Sequence, residues 1–241
     1  ENGGLVSDGD VVPYDFDAAL ENAARDKGVE LLMGSTSEEW NYFESDSEGA
    51  SRDERRKAWT ESVNETWDGF YGKDGNSKYM DKIYRILEKR VPDEYAGDKE
   101  LKDLLVKSSF ITEIWRVEVN RMADRYSNAG GDTYVYVWDI PSDMDEYYHS
   151  AMHAVELAYV LNNLEDGYGN VDADEAAKVQ AAWINFAKTG NPSIEGNAWP
   201  KYNPKARDTM VIQPGKWKIA RDPYNDIQEM LNAMKGSFVQ W

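Results

Sequence analysis

The sequence has no cysteine among its 241 residues. That absence removes a disulfide framework, a thiol nucleophile and any zinc or iron–sulfur site built on thiolates. Basic residues are also in short supply: 27 Lys and Arg stand against 45 Asp and Glu, a formal charge of −18, and the basic residues are scattered among acidic ones. A nucleic-acid surface needs clustered Lys and Arg to displace counterions, so no nucleic-acid partner is expected. An anionic membrane surface is disfavoured for the same reason. No apolar run approaches the roughly 20 residues that a bilayer span needs, so no membrane span is expected. Histidine is limited to His149 and His153. What the chain does have is apolar and aromatic: 41% hydrophobic residues, with 9 Trp and 15 Tyr, enough to bury a core despite the charge.

Turn signals open the chain (Gly3-Gly4, Asp8-Gly9-Asp10, Val12-Pro13), and a short helical stretch follows around Asp17 to Asp26. Glu30-Leu31-Leu32-Met33-Gly34 is a compact apolar run closed by Gly, which predicts a buried strand. From Ser51 to Tyr126 the pattern is helical, with Tyr79, Ile83, Ile86 and Leu87 on one face and Val91-Pro92 as a stop. Ile111, Ile114, Trp115, Val119, Met122, Ala123 and Tyr126 form an apolar stripe at spacings of three and four, the mark of a core helix. Gly130-Gly131 breaks the chain before Tyr134-Val135-Tyr136-Val137-Trp138, whose β-branched and aromatic residues predict a strand.

Asp172 with Glu175 reads as a capping box opening a helix that Gly190 and Pro192 end. A last strand is expected at Thr209 to Ile212 and a last helix from Asp222 to Met234. Strands alternating with helices predict an α/β architecture with a mostly parallel sheet flanked by helices.

Functional groups in such sheets gather beyond the carboxyl ends of the strands. Glu39 follows the strand ending at Gly34, and His153 lies on the connection after the strand ending at Trp138. A histidine is the usual general base near neutral pH, and a carboxylate on its second nitrogen fixes the tautomer and stabilises the imidazolium. Acid before histidine, each after its own strand, is the α/β-hydrolase order, in which the nucleophile comes first. No Gly-x-Ser-x-Gly and no His-Gly-Gly segment occurs in the chain. His149 and His153 are spaced to share a helix face, as a metal site requires, but the intervening residues lack the Glu of a His-Glu-x-x-His motif. No metal and no cofactor are expected.

The segment from Gly34 to Phe43 (GSTSEEWNYF) resembles the stretch around the catalytic acid of type B carboxylesterases, the family that includes cholinesterases and bacterial p-nitrobenzyl-type esterases. Met152-His153-Ala154-Val155-Glu156-Leu157-Ala158-Tyr159-Val160 is similar to that family's catalytic-histidine segment. Asp8-Gly9-Asp10 before Val12-Pro13, and the run from Trp183 through Asn191-Pro192 to Tyr202, agree in family order. The resemblance implies that residues 1–241 are the C-terminal part of a single α/β-hydrolase domain, without the nucleophile elbow and the oxyanion hole. It implies Glu39 as the triad acid, His153 as the general base and Glu156 as a supporting carboxylate near the histidine. The sequence departs from the family at Trp40 and Ala154, where a Gly is common.

On this reading the chain serves a serine esterase acting on small carboxylic esters, completed by an N-terminal half as a separate or cleaved chain. An unpaired strand edge is then expected to face that partner. Trp40, Tyr42 and Phe43 stand either as walls of the substrate pocket or as core packing. A second class also fits the resemblance, a cholinesterase-like domain used for binding or adhesion, since the family includes such proteins. The acidic run from Asp143 to Glu146 is expected to be a solvated loop.

Overall fold

A computed structural model describes residues 7–26, 28–44, 51–95, 97–143, 149–165 and 169–234. The chain runs α1 (Phe16–Asp26), β1 (Leu31–Thr36), a 3-10 turn (Glu39–Glu44), α2 (Arg52–Tyr71), α3 (Ser77–Leu87), a second 3-10 turn (Asp93–Tyr95), α4 (Lys99–Asn128) and β2 (Thr133–Trp138). It continues with α5 (Glu156–Val160), α6 (Ala173–Thr189), β3 (Asp208–Gln213), β4 (Lys216–Arg221) and α7 (Asn225–Ala233). Beyond Asp143, the expected acidic loop lies outside the described residues.

The four strands lie in chain order, β1 parallel to β2, β2 parallel to β3, and β4 returning antiparallel. β2 occupies an inner position and is buried along both faces, as a parallel strand covered by helices on each side must be. Its Tyr134, Tyr136 and Trp138 side chains pack with α5, α6, Trp199 and Trp217 on one face, while Val135 meets Ala123 of α4 on the other. β4 went unforeseen because charged residues alternate with apolar ones along Lys216-Trp217-Lys218-Ile219. It is joined to β3 by the two-residue turn Pro214-Gly215, with Gly215 at φ 63°, and its lysines suit an outer edge.

β1 corrects one expectation. It extends to Thr36, and Leu31 to Gly34 are half-buried rather than buried, because among the described residues no strand pairs with its outer side.

The 30-residue α4 is the spine of the fold. Asp98 caps its start by accepting from the backbone N–H of Glu100 and Leu101. Its first half joins α2, α3 and α7 in one apolar cluster around Trp59, Trp67, Ile83 and Phe110, and its second half lies across β1 and β2. Because it is wrapped on most sides, residues off the expected stripe are buried as well, including Glu113 and Arg116. Trp115 departs from the stripe in the other direction and is 43% exposed beside the open edge of β1. The helical run expected from Ser51 is three helices, the first opened by a complete Ser51–Glu54 capping box that had not been singled out. At α6 only half of the expected box forms: Asp172 accepts from the Glu175 N–H, while the Glu175 carboxylate takes the indole N–H of Trp217. Gly190 ends α6 at φ 72°, as foreseen.

Gly34 faces Tyr136 in the β1–β2 register. A Cβ built there falls 2.5 Å from both the Tyr136 ring and its carbonyl oxygen. Gly34→Ala should therefore lower stability by about 1–3 kcal/mol through overpacking, read as a drop in the urea midpoint at unchanged slope.

Candidate active site

The β1–β2 register aligns Thr36 with Trp138, so the two strands end level and their following loops leave the sheet side by side. Backbone pairing continues past the strands: the Ser37 N–H donates to the Trp138 carbonyl at 2.8 Å and the Glu38 N–H to the Ala151 carbonyl at 3.1 Å. The Glu38 carboxylate in turn accepts from the Ala151 N–H at 3.0 Å, binding the two loops together. The chain then turns into the Glu39–Glu44 3-10 turn, and Glu39 Oε1 accepts from the Thr36 N–H at 2.6 Å. That contact fixes one carboxylate oxygen and leaves the other aimed away from the strand.

The second loop is held by burial. Ala151, Met152 and Val155 are sunk in the core, and between them the chain lifts His153 to the surface. Glu39 Oε2 lies 2.7 Å from His153 Nδ1, with the Glu39 side chain 15% exposed and the imidazole 54% exposed. The hydrogen bond that the Glu39 carboxylate accepts from Nδ1 pushes His153 above the ordinary imidazole value of 6.5, against a smaller opposing effect of partial burial. A folded-state value above the unfolded one means that the pair stabilises the fold fully below the unfolded value. That contribution is lost as pH rises through the folded value.

Glu156, expected as a supporting carboxylate, opens α5 with one carboxylate oxygen buried and unpartnered. Burial pushes its carboxyl up to about 7; Glu39 adds to the rise and His153 opposes it. The proton this favours near neutrality limits the negative charge around the imidazole.

Trp40 follows the acid, lines a cavity of about 240 Å³ with Glu39, His153 and the exposed Trp115, and also packs against the helical core. Trp40 thus has one face in the core and one on the cavity beside the Glu39–His153 pair. The side chains of Tyr42 and Phe43 lie outside the described residues, though their backbone is part of the 3-10 turn. His149 is exposed, and the chain from His149 to His153 is not helical, so the shared helix face that a metal pair would need is not formed.

Three further groups at the site were not singled out from the sequence. Asp139, the residue after β2, accepts from the Ser37 hydroxyl at 2.8 Å and from Gln213 at 2.7 Å, tying the acid loop to the end of β3. Arg116 and Glu113 lie buried beneath the same turn. From the sequence they read as ordinary helix charges three apart, with nothing to mark them as buried.

Ala154 sits at φ 66°, a left-handed conformation that disfavours a side chain. A Gly is the residue least strained at such a position. Ala154→Gly should leave the fold intact and raise stability by up to about 1 kcal/mol, the relieved strain exceeding the added unfolded-state entropy; a lower melting temperature in calorimetry would contradict it. Glu156→Gln should be stabilising on the order of 1–3 kcal/mol at pH 8 and close to neutral at pH 5, because ionising the buried carboxyl costs stability only as pH rises towards and through about 7. Denaturant titrations at the two pH values measure the difference.

The "Carboxylesterase family" matches residues 2–231. The para-nitrobenzyl esterase of Bacillus subtilis (strain 168) is 30% identical over 230 residues, covering 91% of this chain and 40% of that protein. Human neuroligin-3 is 26% identical over 250 residues, covering 92% of this chain and 28% of that protein. Among solved structures, a carboxylesterase of Geobacillus stearothermophilus superposes with a TM-score of 0.66 at 22% identity, over 94% of this chain and 45% of its own. A PNB esterase superposes with a TM-score of 0.57 at 24% identity, over 88% and 40%. These likenesses establish the α/β-hydrolase fold. The chain spans less than half the length of each of these relatives.

Proposed function

This chain belongs to the carboxylesterase family, and from that membership we propose that it carries the acid and the general base of a serine carboxylesterase whose nucleophile lies in an upstream segment. Residues 1–241 are then the C-terminal part of one α/β-hydrolase domain. The observation that carries the reading is the 2.7 Å contact between Glu39 and His153, made at the level carboxyl ends of two adjacent parallel strands.

Each group has a chemical role. With Nδ1 held by Glu39, proton exchange with the nucleophile falls to the other ring nitrogen, Nε2. It takes the proton of the upstream Ser as the hydroxyl attacks the ester carbonyl, and returns one to the leaving alcohol as the tetrahedral intermediate collapses. Glu39 orients the ring and stabilises the imidazolium; backbone N–H groups from the upstream segment stabilise the oxyanion. The cavity lined by Trp40 and Trp115 gives the ester an apolar wall, which suits small hydrophobic or aryl esters. The open side of β1 and the exposed Trp115 beside it are the surfaces on which the upstream half docks. A binding domain of the same fold has no chemical need for a hydrogen-bonded Glu–His pair, which favours the enzyme.

Expected outcomes follow with p-nitrophenyl esters as substrate. The 241-residue chain alone is inactive, and activity appears when the upstream half is co-expressed; turnover by the pure chain would overturn the split arrangement. In the assembled enzyme His153→Ala lowers kcat by roughly 10⁴–10⁶-fold and Glu39→Gln also costs heavily. Near-normal rates in either variant would sink the assignment. The acid limb of kcat/KM has its midpoint above the ordinary imidazole value, since His153 must lose its proton to act as base and Glu39 holds that proton more tightly. In Glu39→Gln the midpoint moves down.

A further inference from the structure

We propose that Arg116 is a positioning residue for the acid and base: anchored by Glu113, its guanidinium latches the turn that carries Glu39 onto α4. The inference rests on reading Glu39 and His153 as an acid–base pair.

Arg116 and Glu113 are one helical turn apart, each 3% exposed, with Nη1 donating to Glu113 Oε1 at 2.5 Å. From that anchor Nη2 reaches out of the helix and donates to the carbonyl of Thr36 at 3.2 Å and of Ser37 at 3.3 Å. These are the two residues that leave β1 for the Glu39 turn, and the Thr36 N–H holds Glu39 Oε1. One guanidinium thus holds the two peptides that directly follow the Thr36 N–H on which the acid rests. The ring of Tyr224, from the start of α7, lies 4.0 Å from the guanidinium carbon, with Tyr224 itself at a left-handed φ of 74°. Arg90 stacks on the same ring at 5.0 Å and bonds both Glu113, at 3.3 Å, and Asp226, at 2.9 Å. Arg116 is therefore fixed in place by α4, by α7 and by the segment after α3.

A buried ion pair is a poor source of net stability, because desolvating two charges offsets their attraction. Its distinctive product here is geometry: a planar fork that serves two carbonyls and a carboxylate at once, which an ammonium on a flexible stem does not reproduce. Without the latch the Thr36–Ser37 peptides can rotate, and the Glu39 carboxylate is no longer presented squarely to Nδ1. The groups facing His153 are Glu39 from the turn and Glu156 from α5. Those facing Arg116 are Glu113, Tyr224 and, at longer range, Glu39.

The test is the titration of His153 followed by ¹⁵N NMR, for which a chain with only two histidines is well suited. His153→Ala identifies the signal, and Glu39→Gln shows how far the midpoint falls, towards about 6.5, when the carboxylate is neutralised. The variants are Arg116→Met and the double variant Glu113→Leu with Arg116→Met. The double variant leaves no buried unpaired charge and so preserves the fold where the single one does not. Both should lower the His153 midpoint by a substantial part of the Glu39→Gln shift. In Arg116→Met the direction is diagnostic, since removing a nearby cation by itself raises a histidine's midpoint; in the double variant one charge of each sign is removed and the two effects offset, so a fall there reports loss of the Glu39 contact. An unchanged or raised midpoint in the folded double variant, alongside a fall in Glu39→Gln, overturns the latch and leaves the acid–base reading standing. No fall in Glu39→Gln overturns both.

Discussion

The parallel pairing of β1 with β2 is the constraint from which the site follows. Because Thr36 and Trp138 are in register, the first residues beyond each strand continue to hydrogen-bond to one another, and two loops separated by more than a hundred residues are forced to run together. A one-residue slip would turn every β1 side chain to the opposite face. It would carry Glu39 away from His153. The aromatic face of β2, packed on Trp183, Trp199 and Trp217, makes that slip costly. The register is thus enforced by apolar contacts on the side of the sheet away from α4.

Beyond the strand ends the chain relies on polar contacts, and these form a connected set. Glu38 holds the Ala151 loop, Asp139 holds Ser37 and Gln213, and Arg116 holds the Thr36 and Ser37 carbonyls. Loop backbone that leaves a sheet below the surface must find partners for its N–H and C=O groups; strand carbonyls meet the Ser37 and Asp139 N–H, and the groups beyond them need other partners. Side chains from α4 and from the loops themselves take that place. The Glu–His pair sits at the solvent end of this set, where the imidazole can exchange protons while the carboxylate stays mostly shielded.

Much of this was legible in the sequence. The stripe along α4, the β-branched run of β2 and the Gly–Pro stop of α6 follow from local period and local stereochemistry, and all three appear where expected, Trp115 of the stripe excepted. Glu39 and His153 could be singled out because the resemblance supplied their segments. Other features were not legible for identifiable reasons. β4 has charged alternate residues and owes its place to a tight turn and to pairing with β3. Trp115 belongs to an apolar stripe by spacing yet stands exposed, because the surface it faces includes the open side of β1. Glu113 and Arg116 look like ordinary solvated helix charges until one knows that α4 is wrapped on most sides.

By itself the sequence determined the alternation of strands and helices, the cap and stop signals, and the segments that place the chain among carboxylesterases, since each depends on residues close together along the chain. Only the tertiary structure decided that β1 and β2 end level, that Ala154 is held left-handed, and that an arginine from the middle of a helix grips the turn bearing Glu39. Those outcomes depend on which surfaces meet. Burial and hydrogen-bond partnership are properties of the assembled layers, and a residue's neighbours in sequence carry no record of them.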